Sequence, residues 1–206
     1  MEMDAFTEGF VKRNWAEIGL DELLGPAPEY FDRAGDLVVV GDSISWSTPE
    51  LTQDGQQIDH GAPDGTYPVY AGSHSIEDSS SVRYYVDTLF IPLAAPDRLA
   101  SAIWDDEGYD KPVFLGDYAC LWSPGAEAAT LPHWGSGKSA KIRAIEESVL
   151  SDETLSRRGH WPDALVDPDS GANILAFPVS DVALRGYEAV DENDEPLAVL
   201  LATWSP

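Results

Sequence analysis

GYEAVDENDEPLAVLLATW, residues Gly186–Trp204, decides how this chain folds. Two apolar runs flank DENDEP, a stretch of four acids, an asparagine and a proline. Asn and Asp tolerate the left-handed backbone of tight turns, and Pro cannot donate to a strand ladder. Strand chemistry on both sides of such a turn makes a β-hairpin. The chain therefore ends in antiparallel sheet.

Working outward, NILAFPVSD and LRGYEAV lead into that hairpin as strands. From about Gly35 to Leu93 the same chemistry recurs in DLVVVGD, TYPVYAG and VRYYVDTLFIPL. Turn-rich TPELTQDGQQIDHGAPDG separates the first two, and acidic, serine-rich SHSIEDSSS reads as a mobile loop before the third. KPVFLGDYACLWSPG reads as one or two further strands. The spacing of Phe6, Phe10, Val11, Trp15, Ile18 and Leu23 predicts an amphipathic helix ended by Gly25-Pro26. PDRLASAIW opens with Pro96, suited to an early helical position. Ile142, Ile145, Val149 and Leu155 mark the inner side of one long helix near residues 138–157. The expected fold is α+β: a mainly antiparallel, twisted sheet with an N-terminal helix (1–25) packed on a single domain (26–206).

Charge is the most unusual property. Twelve basic residues against 37 acidic ones give a net charge of −25 over 206 residues. Such a surface repels nucleic acid and anionic membrane and attracts cations or basic proteins. The single cysteine, Cys120, allows no internal disulfide and fits a reducing compartment. No apolar run approaches bilayer length and no signal-like segment opens the sequence, so the expectation is a cytoplasmic protein. No motif calls for a cofactor.

Three motifs bear on catalysis or ligand binding. LVVVGDSISWS resembles the opening block of the GDSL hydrolases, in which an apolar strand delivers a serine, here Ser43. A serine needs a base to become a nucleophile. That family's base lies three residues after an aspartate, whereas His60, His74, His133 and His160 follow Gln57, Ala71, Thr130 and Arg157 at that spacing. His60 or His74 would have to serve from a distant loop. GSGKS at Gly135–Ser139 opens a helix as a phosphate-binding loop does, but the pattern's first glycine is replaced by Pro132. Asp59-His60 and His74 lack the spacing of a metal site, and none is expected. His133-Trp134 and His160-Trp161 read as half-buried packing at the ends of the long helix.

Gly65-Thr66-Tyr67-Pro68-Val69 resembles the glycine–any–tyrosine–proline–valine block of the family called domain of unknown function 4241. GDLVVVGDSI, VRYYVDTLFIPL, FLGDYACLWSPGA and GYEAVDENDEPLAVLLATW are similar to its successive segments in the same order. VSDVALRGY keeps Ser180, Gly186 and Tyr187 but lacks the family's Gly-Asp-Gly run. The resemblance implies a fold and no reaction.

The functional expectation is a non-catalytic binding protein of inhibitor or immunity type, acting on a basic partner such as a toxin or nuclease. Its contact residues would be Asp105, Asp106 and Glu107 in one loop and Asp191, Glu192, Asp194 and Glu195 in the hairpin turn. The rivals are a hydrolase using Ser43 and a small-ligand module with an aromatic pocket of Tyr67, Tyr70, Tyr84 and Trp104.

Overall fold

The structure, a computed structural model, describes residues 3–17, 19–48, 55–105, 113–130, 140–180 and 182–204. The expected α+β architecture is present, with two antiparallel sheets. In the larger, β1 (Tyr30–Val39), β4 (Gly65–Glu77), β5 (Val82–Pro92), β12 (Pro196–Trp204), β11 (Val182–Val190) and β6 (Ile103–Trp104) lie in that order. β7 (Val113–Leu115) also pairs with β11. The smaller runs β3 (Gln56–Gln57), β2 (Ser45–Ser47), β8 (Tyr118–Trp122), β10 (Asn173–Pro178) and β9 (Asp163–Leu165).

β11 and β12 form the expected hairpin, in register from Ala183↔Trp204 to Val190↔Pro196. Asp194 sits at the turn with φ 60°, a conformation that Asn and Asp adopt more readily than most residues. SHSIEDSSS is not a loop throughout. Strand β4 continues to Glu77, and Asp78 closes a tight turn by accepting from the amides of Ser80 (2.8 Å) and Ser81 (3.0 Å). An acid two residues before a serine supplies that turn's acceptor, so the polar composition marks a hairpin corner.

Side-chain alternation builds the layers. Val69 and Ala71 of β4, Leu89 and Ile91 of β5, and Val199 and Leu201 of β12 face the smaller sheet's Ala119, Leu121, Leu175 and Phe177. The opposite face of the larger sheet, with Tyr70, Phe90 and Leu200, is covered by Phe10, Val11, Trp15 and Leu20. The outer face of the smaller sheet, with Tyr118, Cys120 and Ile174, is covered by Ala126, Ile145 and Val149. The order is helix, sheet, sheet, helix. β8 and β10 are buried on both faces, which is why YACLW and NILAFP read as continuous apolar runs.

Two of the three expected helices are divided. α1 (Met3–Glu17) and α2 (Leu20–Leu24) are separated at Gly19, whose φ of 73° breaks the helical path. α5 (Ala140–Val149) and α6 (Asp152–Leu155) replace the long helix. Ser151 leaves the helical conformation and its hydroxyl accepts from the Thr154 amide at 3.2 Å, capping α6. Of PDRLASAIW only α3 (Pro96–Leu99) is α-helical, and Ile103-Trp104 join the sheet. α4 (Pro124–Thr130) follows β8.

Asn173 ties the sheets together. Its Oδ1 accepts from the Val38 amide (2.9 Å), and its Nδ2 donates to the Asp36 carbonyl (2.8 Å) and to Asp163 Oδ1 (2.7 Å). Among the described residues, no helix is long and apolar enough to cross a membrane.

Candidate functional site

Strand order brings distant loops to one end of the sandwich. β1 ends where β4 begins, at Val39↔Gly65. β5 ends beside the start of β12, at Pro92↔Ala198, and β11 ends opposite both Pro196 and Ile103. The connections there carry Asp42, Asp59, Asp64, Asp191, Glu192, Asp194 and Glu195. Asp105 lies just below that end, along the edge of β11, where its amide donates to the Glu188 carbonyl at 3.0 Å. Asp106 and Glu107 lie outside the described residues.

Within the turn, Asp191 Oδ1 accepts from the amides of Asn193 (2.8 Å) and Glu195 (3.1 Å). Arg98 Nη2 donates to Asp191 Oδ2 (2.7 Å) and to Glu195 Oε2 (2.8 Å). The Asn193 amide, followed by the Glu195 amide and Arg98, holds the Asp191 carboxyl below its ordinary range. Glu195 first and then Asp191 push the Arg98 guanidinium up. Glu192, Asp194 and Asp105 are exposed. A shallow cavity of about 320 Å³ opens beside them, between Arg98, Ser101 and Ile103 on one side and Asp191, Glu192 and Asn193 on the other.

Glu188 is a buried carboxylate at this end that the sequence reading passed over. Opposite Val199 it faces the sandwich interior, with its side chain 5% exposed. It accepts from the amides of Asp59 (2.6 Å) and His60 (3.1 Å), and its Oε2 lies 2.9 Å from His60 Nδ1. The same loop is held against the 42–44 segment by Ala62 N→Asp42 O (2.9 Å) and Ile58 N→Ile44 O (3.1 Å). Asp64 Oδ1 accepts from the amides of Gly41 (2.6 Å) and Asp42 (3.0 Å). An acid inside an otherwise apolar strand, Tyr187-Glu188-Ala189-Val190, was the available signal.

Ser43 lies in the turn between β1 and β2. Its hydroxyl is buried and makes no hydrogen bond, so it meets neither His60 nor His74. His74 is on β4, nine residues beyond Gly65 and roughly 30 Å along the strand. The two histidines therefore stand toward opposite ends of the sandwich and share neither a metal nor a nucleophile. His74 Nδ1 contacts Asp87 Oδ1 (2.7 Å) and Oδ2 (2.8 Å). The Asp87 hydrogen bond pushes the His74 imidazole up, against a smaller opposing effect of burial. Among the described residues no cluster of three or more His, Cys, Asp or Glu side chains is placed to hold a metal.

The aromatic pocket does not form. Tyr67 and Tyr84 pack against the core between the sheets, whereas Tyr70 and Trp104 belong to the core under α1. Positions 67 and 70 differ by an odd number, so a strand sends them to opposite faces. Trp161 is 6% exposed, more deeply buried than half-buried packing implies, and it packs on Phe177. His133, Trp134 and GSGKS lie outside the described residues. No family model matches the chain, and no curated protein or solved structure matches it.

Proposed function

We propose that this chain is a non-catalytic binding protein of inhibitor or immunity type, acting in the cytosol, whose acidic end captures a basic protein such as a toxin or nuclease. The observation that carries the reading is the convergence of three separate connections, each bearing carboxylates, on one end of the sandwich, with Asp105 close below them on the edge of β11. Arg98 at that end is already held by Asp191 and Glu195, and it rigidifies the turn that presents Glu192 and Asp194. Glu188 holds the loop that presents Asp59 in the same way. A preset array of like charges speeds encounter with an oppositely charged partner and weakens as salt rises.

A shared fold with the domain of unknown function 4241 belongs to the same proposal. Its Gly65–Val69 block opens β4 beside the acidic end.

The test is recovery of a basic protein from the host lysate on immobilised chain, followed by kinetics with the purified partner. Asp105→Asn/Glu192→Gln/Asp194→Asn spares Asp191, Glu195 and Glu188, which hold the loops. It is expected to slow association at least about tenfold at low salt and to flatten the salt dependence. An unchanged association rate in the triple variant would refute the reading.

A further inference from the structure

We propose that the free edge of β9, with the groove between β9 and α5, receives an extended segment of a basic partner that adds to the smaller sheet as a sixth strand. Resting on the reading of the chain as a binder of basic protein, this names the backbone that holds the partner.

The register of β9 fixes which groups are free. Pro162 O accepts from Ala176 N (3.0 Å), Ala164 pairs with Ile174, and Val166 N donates to Ala172 O (3.0 Å). Residues 162, 164 and 166 thus spend their backbone on β10. Asp163 and Leu165, between them, direct N–H and C=O away from the sheet. β9 is the last strand of its sheet, and among the described residues no strand pairs with that side. Both residues are exposed, Leu165 by 59%, the highest value among the described large apolar side chains. The edge is short and carries Asp163, devices that limit unspecific pairing, and a large apolar side chain stands beside its open amides.

The groove supplies the side-chain site that strand addition needs for specificity. It has a volume of about 420 Å³ and is lined by Ala144, Ile145 and Ser148 of α5 and by the whole of β9 with its flanking Pro162 and Val166. Ala164 packs with Ile145 and Val149 on the α5 side of the sheet. A residue opposite Ala164 on an added strand shares that face and enters the groove. Its two neighbours bond to Leu165 and Asp163 and turn to the other face. One covers Leu165, and the other lies beside the Asp163 carboxylate.

Charge chooses the occupant. Asp163 and the net charge of −25 favour lysine or arginine beside Asp163 and disfavour an acidic peptide. They also disfavour a second copy, since two chains of that charge repel. An antiparallel segment therefore reads apolar, apolar, basic, opposite Leu165, Ala164 and Asp163 in turn.

The probe is a library of capped hexapeptides with two adjacent apolar residues followed by lysine, screened against the full chain. A binder is expected to slow hydrogen exchange at the Asp163 and Leu165 amides. Its affinity is expected to fall at least about tenfold in Leu165→Pro, which removes an N–H that β10 does not use. Ala144→Trp, which fills the groove from an exposed helix position, is expected to do the same and carries the test if Leu165→Pro fails to fold. The inference is overturned if no library member binds, or if binding leaves those amides unprotected. It is also overturned if they become protected without peptide as the chain dimerises. Capped oligolysine is run in parallel on the Asp105→Asn/Glu192→Gln/Asp194→Asn variant. Loss there alone keeps the acidic-end reading while removing this one.

Discussion

Asp87 is the extra residue of a β-bulge, and the bulge brings its carboxylate onto His74. The pairing of β4 with β5 shifts between Gly72↔Thr88 and Ser73↔Val86, leaving Asp87 without an opposite residue. Both of its oxygens lie within 2.8 Å of His74 Nδ1. Bulges commonly re-aim a side chain in this way.

Because the protonated imidazole is favoured in the fold, His74 stabilises the protein fully below 6.5, its ordinary value. That contribution fades as pH rises through the raised folded value. Urea midpoints for the native chain and His74→Asn should differ most at acidic pH and converge above neutrality. A gap that widens with rising pH would mean that the pair does not titrate as its geometry requires.

Removing the Glu188 carboxylate leaves the Asp59 and His60 amides without their acceptor. Glu188→Ala should cost about 2–4 kcal/mol. It should also speed hydrogen exchange at those two amides more than at the centre of β11. Chemical denaturation with site-resolved exchange checks both. Uniform acceleration across the sheet would show only global destabilisation.

Asp78 titrates at about 2, chiefly because the Ser80 amide donates to its ionised form. A depressed carboxyl stabilises the fold above its unfolded value and loses that contribution as pH falls through the folded one. Carboxyl chemical shifts should place the Asp78 midpoint well below those of exposed acids. Asp78→Ala should raise exchange at Ser80 and Ser81.

Ser43 presents a buried hydroxyl that makes no hydrogen bond. Deleting a polar group in that condition relieves an unmet desolvation cost. Ser43→Ala should leave the melting temperature unchanged or raise it, and a fluorophosphonate probe should label neither form. Labelling of the native chain that is lost in Ser43→Ala would restore the hydrolase reading.

Most strands were legible because their evidence is local. Alternation and turn chemistry around Asp191–Pro196 specify a hairpin without reference to the rest of the chain. The division of the helices was missed: both were read as continuous, although Gly19 and Ser151 mark the breaks. The second sheet was not legible. β2, β3 and β9 are only two or three residues long, too short to show a period, and long-range pairing alone defines them. The same holds for the candidate site. Asp191–Glu195 stood out as a charge run, but Asp42, Asp59 and Asp64 join them only through strand order. Glu188 is isolated in sequence, and its partners lie 128 and 129 positions away.

Asn173 does more than bridge two sheets. Through one amide it accepts from Val38 and donates to Asp36, as a peptide group of a neighbouring strand would. Its bonds require both sheets in place at once, and neither half can melt first without breaking them. Heating should therefore yield a single calorimetric transition, with both sheets lost together.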